Sequence, residues 1–282
     1  MSPDNQVGYY RPFEAIERFI TQKAELAREF PQQMGIDGLS VVGKGTLAMR
    51  LADLLHVHYF NTGLLYRAIT VAVQQENIPV LQLSDSQLTD VLQDINISYP
   101  GNDGASHIDI ETIHLPMQDI THLTQTATVE KAISAIAGRI PTRTKVEALQ
   151  QKFLQDNPFC IMEGRNMREV MKDIPAENKF LMYVFASPDE LAKRLQGRRH
   201  EAFDEAKDSV LSRIRSDYNR EHGRVYPPYE AITSQEYNLT IDSTHMLHPE
   251  VVVTTLDAYI KKGKAQGFVF PLPTEIMKSP VK

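Results

Sequence analysis

Tryptophan is absent from this 282-residue chain, and cysteine occurs once, at Cys160. A single cysteine rules out an intrachain disulfide framework and a cysteine-rich zinc site. Cys160 lies in the apolar run Phe159-Cys160-Ile161-Met162, where a thiol is expected to serve as a small buried hydrophobe rather than a nucleophile. No apolar run approaches the roughly 20 residues needed to span a bilayer. The first residues hold no signal-peptide apolar core and include acidic side chains, so a cytoplasmic protein is expected. Positive charge is also in short supply. Thirty lysines and arginines against 36 acidic residues leave a formal net charge of −6, which argues against a general nucleic-acid binder. The 9 histidines show no metal-ligand spacing, and His56 and His58, beside an apolar strand, read as structural. What remains is ordinary globular composition, 42% hydrophobic and 23% charged. The length suits one large domain or a core with an inserted lobe.

The most informative stretch is Gly38-Leu39-Ser40-Val41-Val42-Gly43-Lys44-Gly45-Thr46. It fits the phosphate-binding loop pattern, with the hydroxyl residue displaced one place by Gly45. Such a loop turns successive backbone N–H groups toward one concavity, and the following helix adds its positive dipole end. ATP phosphates are the expected occupants, along Gly38, Ser40, Val41, Val42, Gly43, Lys44, Gly45 and Thr46. Lys44 is placed to reach the terminal phosphates and Thr46 to help hold Mg2+. Met34-Gly35-Ile36-Asp37 is predicted as the strand before the loop and residues 46–55 as the amphipathic helix after it.

Before the loop, residues 1–33 form an expected N-terminal extension. Phe13, Ile16, Phe19, Ile20, Ala24, Ala27 and Phe30 recur at helical spacing. That helix either packs on the protein's own core or offers a surface to a protein partner or second copy; the spacing allows both. From residue 34 to about 262, short apolar strands alternate with amphipathic helices, the pattern of a parallel α/β sheet. Strands are predicted at 34–37, 57–60, 159–163, 180–185 and 238–241. The interval from about 93 to 158 differs: 95–99 and 107–111 alternate apolar and polar residues across a Pro-Gly-Asn-Asp-Gly turn, which predicts a hairpin. Helices are predicted at 126–138 and 143–155, and the whole interval reads as an inserted substrate lobe. Residues 263–282 are expected to be a tail.

The arginines narrow the chemistry. Arg67 follows the second predicted strand and Arg165 the third, where ligands of open α/β sheets bind. Guanidinium forks suit phosphate oxygens, so the two are candidates for holding a second phosphate opposite the loop. Glu163 is the acidic strand-end residue placed to hold magnesium through water. Residues 194–226 are rich in arginine, with helical stretches expected to break near Gly197 and Gly223. They read as a lid that brings cations over a moving phosphoryl group and excludes water.

Taken together, these residues resemble the bacterial cytidylate kinase family over roughly 34–262. The family opens on Gly-Pro-Ser-Gly-Ala-Gly-Lys-Gly-Thr, against Gly38 to Thr46 here. Its Asp-Ser-Gly-x-x-Tyr-Arg is similar to Asn61 to Arg67, its Asp-Gly-Arg-Asp to Glu163-Gly164-Arg165-Asn166, and its Leu-Asp-Ser-Thr to Ile241-Asp242-Ser243-Thr244. The resemblance implies the P-loop nucleoside monophosphate kinase fold: a parallel sheet flanked by helices, with an inserted acceptor-binding lobe and a lid. It implies ATP-dependent phosphorylation of CMP or dCMP with Mg2+ held by Thr46 and Glu163. Lys44, Arg165 and Arg215 would then be catalytic. The acceptor would meet Thr62, Tyr66, Arg67, Thr121, Arg165, Asn166 and Asn219.

The departures from that pattern have physical content. Val41 replaces a loop glycine, and a β-branched residue is costly wherever φ must be positive. Asn166 and Asn219 stand where the family has aspartates, and Gln125 replaces an arginine near the acceptor pocket. An amide keeps hydrogen-bonding capacity but loses the charge that would hold a neighbouring guanidinium. Two alternatives therefore stay beside a CMP kinase: a kinase of another acceptor, and a degenerate nucleotide-binding protein with a partner on its N-terminal helix.

Overall fold

All five predicted parallel strands form, and they make one sheet. The structure is a computed structural model, and it describes residues 11–75, 80, 82–93, 95–98, 109–112, 115–124, 126–200, 202–222 and 237–265. The strands are β1 (Gln33–Gly38), β2 (His58–Asn61), β6 (Cys160–Glu163), β7 (Lys179–Phe185) and β8 (Leu239–Asp242). Their order is β2-β6-β1-β7-β8, with every pairing parallel. β1 is central and buried along its length, and Met34 lies between Ile161 and Phe180.

Helices cover both faces, because successive strand residues point to opposite sides. On one face Ile36, Ile161, Phe180, Met182, Val184 and Ile241 join a core completed by α1 (Arg11–Ala27), α2 (Lys44–Leu55), α9 (Pro188–Arg199), α10 (Phe203–His222) and α11 (His248–Ala265). On the other, Phe60, Cys160, Met162 and Leu181 meet α3 (Thr62–Gln75), α4 (Asp85–Gln93), α6 (Ala127–Ala137), α7 (Ile140–Asp156) and the short α8 (Met167–Val170). Cys160 has no exposed surface, as expected of a core thiol.

The N-terminal helix joins the first core. Ile20, Ala24 and Ala27 of α1 are buried, and the helix packs against α2 and α11. An ion pair from Lys23 to Asp257 ties it further to α11. Its outer face keeps Ile16 and Phe19 about half exposed, at 43% and 49%. Packing on the protein's own core, one of the two placements the spacing allowed, is therefore made by its buried face.

Between the α4 and α6 helices lies a second sheet of β3 (Asn96–Ser98), β4 (Asp109–Thr112) and β5 (Leu115–Asp119), all antiparallel. The predicted hairpin is its first half, with Ile97 opposite Ile110. The third strand was not expected. Pro116 inside it counts against a strand, but among the described residues β5 pairs only with β4 and lies at the sheet edge, where a missing N–H is tolerated. The α5 turn (Thr121–Thr124) follows it.

Arg67 follows β2 as expected, and it does so on a helix: α3 begins at Thr62, directly after the strand, and Arg67 lies in its second turn. The expected break near Gly197 falls just past it: α9 runs through the glycine to Arg199, and His200, with φ of 56°, turns the chain into α10. An interior glycine costs a helix only about 1 kcal/mol, which its neighbours offset. Gly223 lies outside the described residues.

Candidate functional site

The loop between β1 and α2 has the backbone its sequence requires. Gly38 has φ of 147°, and a side-chain carbon there would come within 2.0 Å of the Val184 carbonyl oxygen, so only glycine fits beside β7. Val41 and Gly43 also have positive φ, 67° and 96°, which turns the chain around the concavity. Lys44 opens α2, and its ammonium folds back under the loop. Its Nζ donates to the carbonyls of Gly38 at 2.8 Å and Leu39 at 2.9 Å. Lys44 is buried, whereas Thr46, in the first turn of α2, is exposed.

Two buried carboxylates flank this lysine, Asp37 at the end of β1 and Glu163 at the end of β6. Asp37 Oδ2 accepts from the N–H groups of Met167 at 2.8 Å and Arg168 at 3.4 Å and from the Tyr237 hydroxyl at 3.2 Å. It thereby ties the segment after Arg165 to the strand that carries the loop. Burial raises the Asp37 pKa, against the lowering pull of these donors and Lys44. Glu163 is raised for the same reason, and Lys44, Tyr59 and Arg165 oppose the shift while Asp37 adds to it. The Tyr59 hydroxyl approaches Glu163 Oε1 at 3.4 Å, and burial followed by this carboxylate raises the tyrosine's own pKa. Glu163 Oε1 also lies 3.6 Å from where a Gly45 side chain would begin, one residue from Thr46. A desolvated carboxylate and an exposed hydroxyl at one helix start are hard oxygen donors of the kind magnesium takes, so these residues fit that ion.

The other expected site residues divide. Arg165 is exposed, and its Nη2 lies 3.5 Å from Ser40 Oγ, across the loop. Asn166 is exposed at the start of α8 and makes no capping bond with its side chain. Arg67 turns elsewhere: its Nη1 donates to the Thr124 carbonyl at 2.8 Å and its Nη2 to Glu130 at 3.3 Å. Thr62 is buried, and its hydroxyl accepts from Gln150 Nε2 at 2.9 Å. Tyr66 is half-buried against the second core. Thr121 is half-buried at the start of α5, where its N–H donates to Asp119 at 2.8 Å. Arg215 is exposed on α10; Asn219 shares that helix, but its side chain lies outside the described residues, as does Gln125.

Comparison with known proteins decides what the arrangement belongs to. The model of the family described as "Cytidylate kinase" matches residues 34–261. The chain belongs to the cytidylate kinase family. A cytidylate kinase from Caldanaerobacter subterraneus subsp. tengcongensis is 27% identical over 83% of this chain and 97% of its own length. One from Aeromonas salmonicida is 29% identical, over 79% of this chain and 91% of the relative. Among solved structures, a gluconokinase from Sinorhizobium meliloti and a shikimate kinase from Bacteroides thetaiotaomicron align at TM-scores of 0.43 and 0.42, too loosely to carry an argument. As a cytidylate kinase family member the chain is a nucleoside monophosphate kinase with the P-loop kinase fold. Among the described residues, no helix is long and apolar enough to cross a membrane.

Sequence reasoning passed over two residues that brace the loop. Asp37 was read only as the end of a strand; a carboxylate in an otherwise apolar strand just before the loop was the available signal. Arg194 was grouped with the other lid arginines. It binds Glu190 at 3.0 Å and donates to the Val42 carbonyl of the loop at 3.3 Å and the Ser243 carbonyl at 2.8 Å. Nothing in the local sequence marks it out from its neighbours.

Proposed function

We propose that this protein uses ATP to phosphorylate CMP or dCMP. The observation that supports this most is the loop itself: positive φ at Gly38, Val41 and Gly43 leads into a helix whose first residue is the buried Lys44, beside Glu163. Its backbone amides and the helix dipole would bind the ATP phosphates, and Lys44 would turn from its carbonyl partners to the phosphate that moves. Thr46 and Glu163 would hold magnesium, which when bound neutralises charge on the phosphate oxygens. Arg67 and Arg165 would hold the acceptor phosphate, and Arg215 would come from the lid. The acceptor phosphate is already ionised at neutral pH, so its oxygen would attack the γ-phosphorus in line without a protein base, while the bond to the bridging oxygen breaks and ADP leaves. Thr62, Tyr66, Thr121, Asn166 and Asn219 would frame the acceptor. The proposal divides the chain into the extension 1–33, the kinase domain 34–262 and the tail 263–282, and places the enzyme in the cytoplasm.

Coupled ADP release from ATP and magnesium, with CMP, dCMP, UMP, AMP and GMP in parallel, tests the reading. CMP-dependent turnover that disappears in a folded Lys44→Ala variant is expected. Turnover that survives this substitution would refute the loop assignment. A rate with another monophosphate and none with CMP would favour the second reading, a kinase of a different acceptor, which the uncharged Asn166 beside Arg165 supports.

A further inference from the structure

Glu130, on α6, is given no role in the reaction above beyond its contact with Arg67, yet it holds two arginines that come from distant parts of the chain. Its Oε1 accepts from Arg67 Nη2 at 3.3 Å and its Oε2 from Arg199 Nη2 at 3.1 Å. Arg67 is the α3 residue assigned above to the acceptor phosphate. Arg199 is the last residue of α9, directly before the His200 turn into α10. One anionic group with each oxygen on a different guanidinium is the arrangement in which arginines hold a phosphate.

We propose that Glu130 is an internal stand-in for the acceptor's phosphate. Without acceptor it occupies Arg67 and Arg199; an arriving nucleoside monophosphate displaces it, and its phosphate takes both guanidinium groups. Arg199 thereby becomes a phosphate-binding residue, and the α9–α10 corner is drawn to the acceptor. The proposal rests on the reading of Arg67 as an acceptor residue. The three side chains are 30%, 41% and 30% exposed for Arg67, Glu130 and Arg199, so a ligand can reach them. Ion pairs this exposed are weak, and a phosphate carrying up to two charges outcompetes a single carboxylate. A nucleoside without phosphate offers the arginines nothing and leaves Glu130 in place.

Calorimetric titration of the full chain with CMP, and with inorganic phosphate as a probe lacking a base, tests this. Glu130→Gln keeps the size of the side chain but removes its charge, and the CMP Kd is expected to fall about three- to tenfold. Adding Arg199→Gln to that variant is expected to raise the Kd again by about tenfold, because a phosphate contact is lost. If Arg199 only restrained Glu130, the second substitution would change nothing. Unchanged or weaker CMP binding in Glu130→Gln, or no effect of Arg199→Gln in that background, overturns the proposal. If CMP binds neither protein but phosphate binds the Glu130→Gln variant more tightly, the stand-in holds and the nucleotide reading fails. If neither ligand binds the wild type or the variant, both are overturned.

Discussion

Val41 offers the sharpest test of the loop's backbone. Its φ of 67° lies in the left-handed region, where a β-branched residue is strained, and its side chain packs in part against the first core. Replacing it by glycine alone would mix relief of strain with loss of packing. Comparing Val41→Gly with Val41→Ala largely removes the packing difference, since both lose the branched side chain. An L-residue held left-handed costs about 1–2 kcal/mol. Glycine's extra freedom in the unfolded chain opposes this by roughly 0.5–1 kcal/mol. The glycine variant should therefore be the more stable of the two by roughly 0.75 kcal/mol, the midpoint of a range of about 0–1.5 kcal/mol, the reverse of the usual order. For a protein of this size that is a Tm difference of about 2 °C, with a matching shift in urea midpoint at unchanged slope. If Val41→Ala proves at least as stable as Val41→Gly, the backbone at residue 41 is not left-handed and the account of the loop is wrong.

Two other expectations follow from burial. Cys160 has no exposed surface, and burial pushes its thiol up to about 12, so iodoacetamide should label the protein only as it unfolds. Rapid labelling of native protein would show that the β6 core opens. Burial, followed by the charge of Lys179, lowers Lys262 to about 8, while its ammonium donates to the Ala176 and Lys179 carbonyls. Between about pH 8 and the ordinary lysine value, the unfolded chain binds the proton more tightly than the folded one, so stability contributed at this site rises with pH. Urea titrations from pH 8 to 10 should show wild type gaining on Lys262→Met; a constant difference would refute the shift.

Much of this architecture was legible in the sequence. The five strands could be read because short apolar runs are closed by glycine, asparagine or aspartate in four cases and by Ser187-Pro188 in the fifth, and strand bounds differ from the expectation by no more than one residue. Their order could not, because Gln33 pairs with Lys179 and Met34 with Ile161, and no local pattern encodes such distant registers. The phosphate loop was visible because glycine spacing is itself the constraint on its backbone. The surroundings of Arg67 were not. Local spacing placed it near a strand end, but the Thr124 carbonyl and Glu130 come to it from chain more than fifty residues away. Asp37 was hidden for a related reason. Its partners, Met167, Arg168 and Tyr237, are named only by the fold.

The central position of β1 also governs how the molecule can assemble. This strand is made before both of its neighbours, which lie far downstream, the nearer beginning at Cys160 and the other at Lys179. Until those residues emerge, its two hydrogen-bonding edges have no native partner. Unpaired edges recruit other chains, and pairing across long separations is slow. The composition of Gln33-Met34-Gly35-Ile36-Asp37-Gly38 suits that wait: two glycines and a carboxylate among six residues make a poor β-former on its own. The residues that let the loop turn beside β7 thus also make the lone strand a weak template for premature pairing.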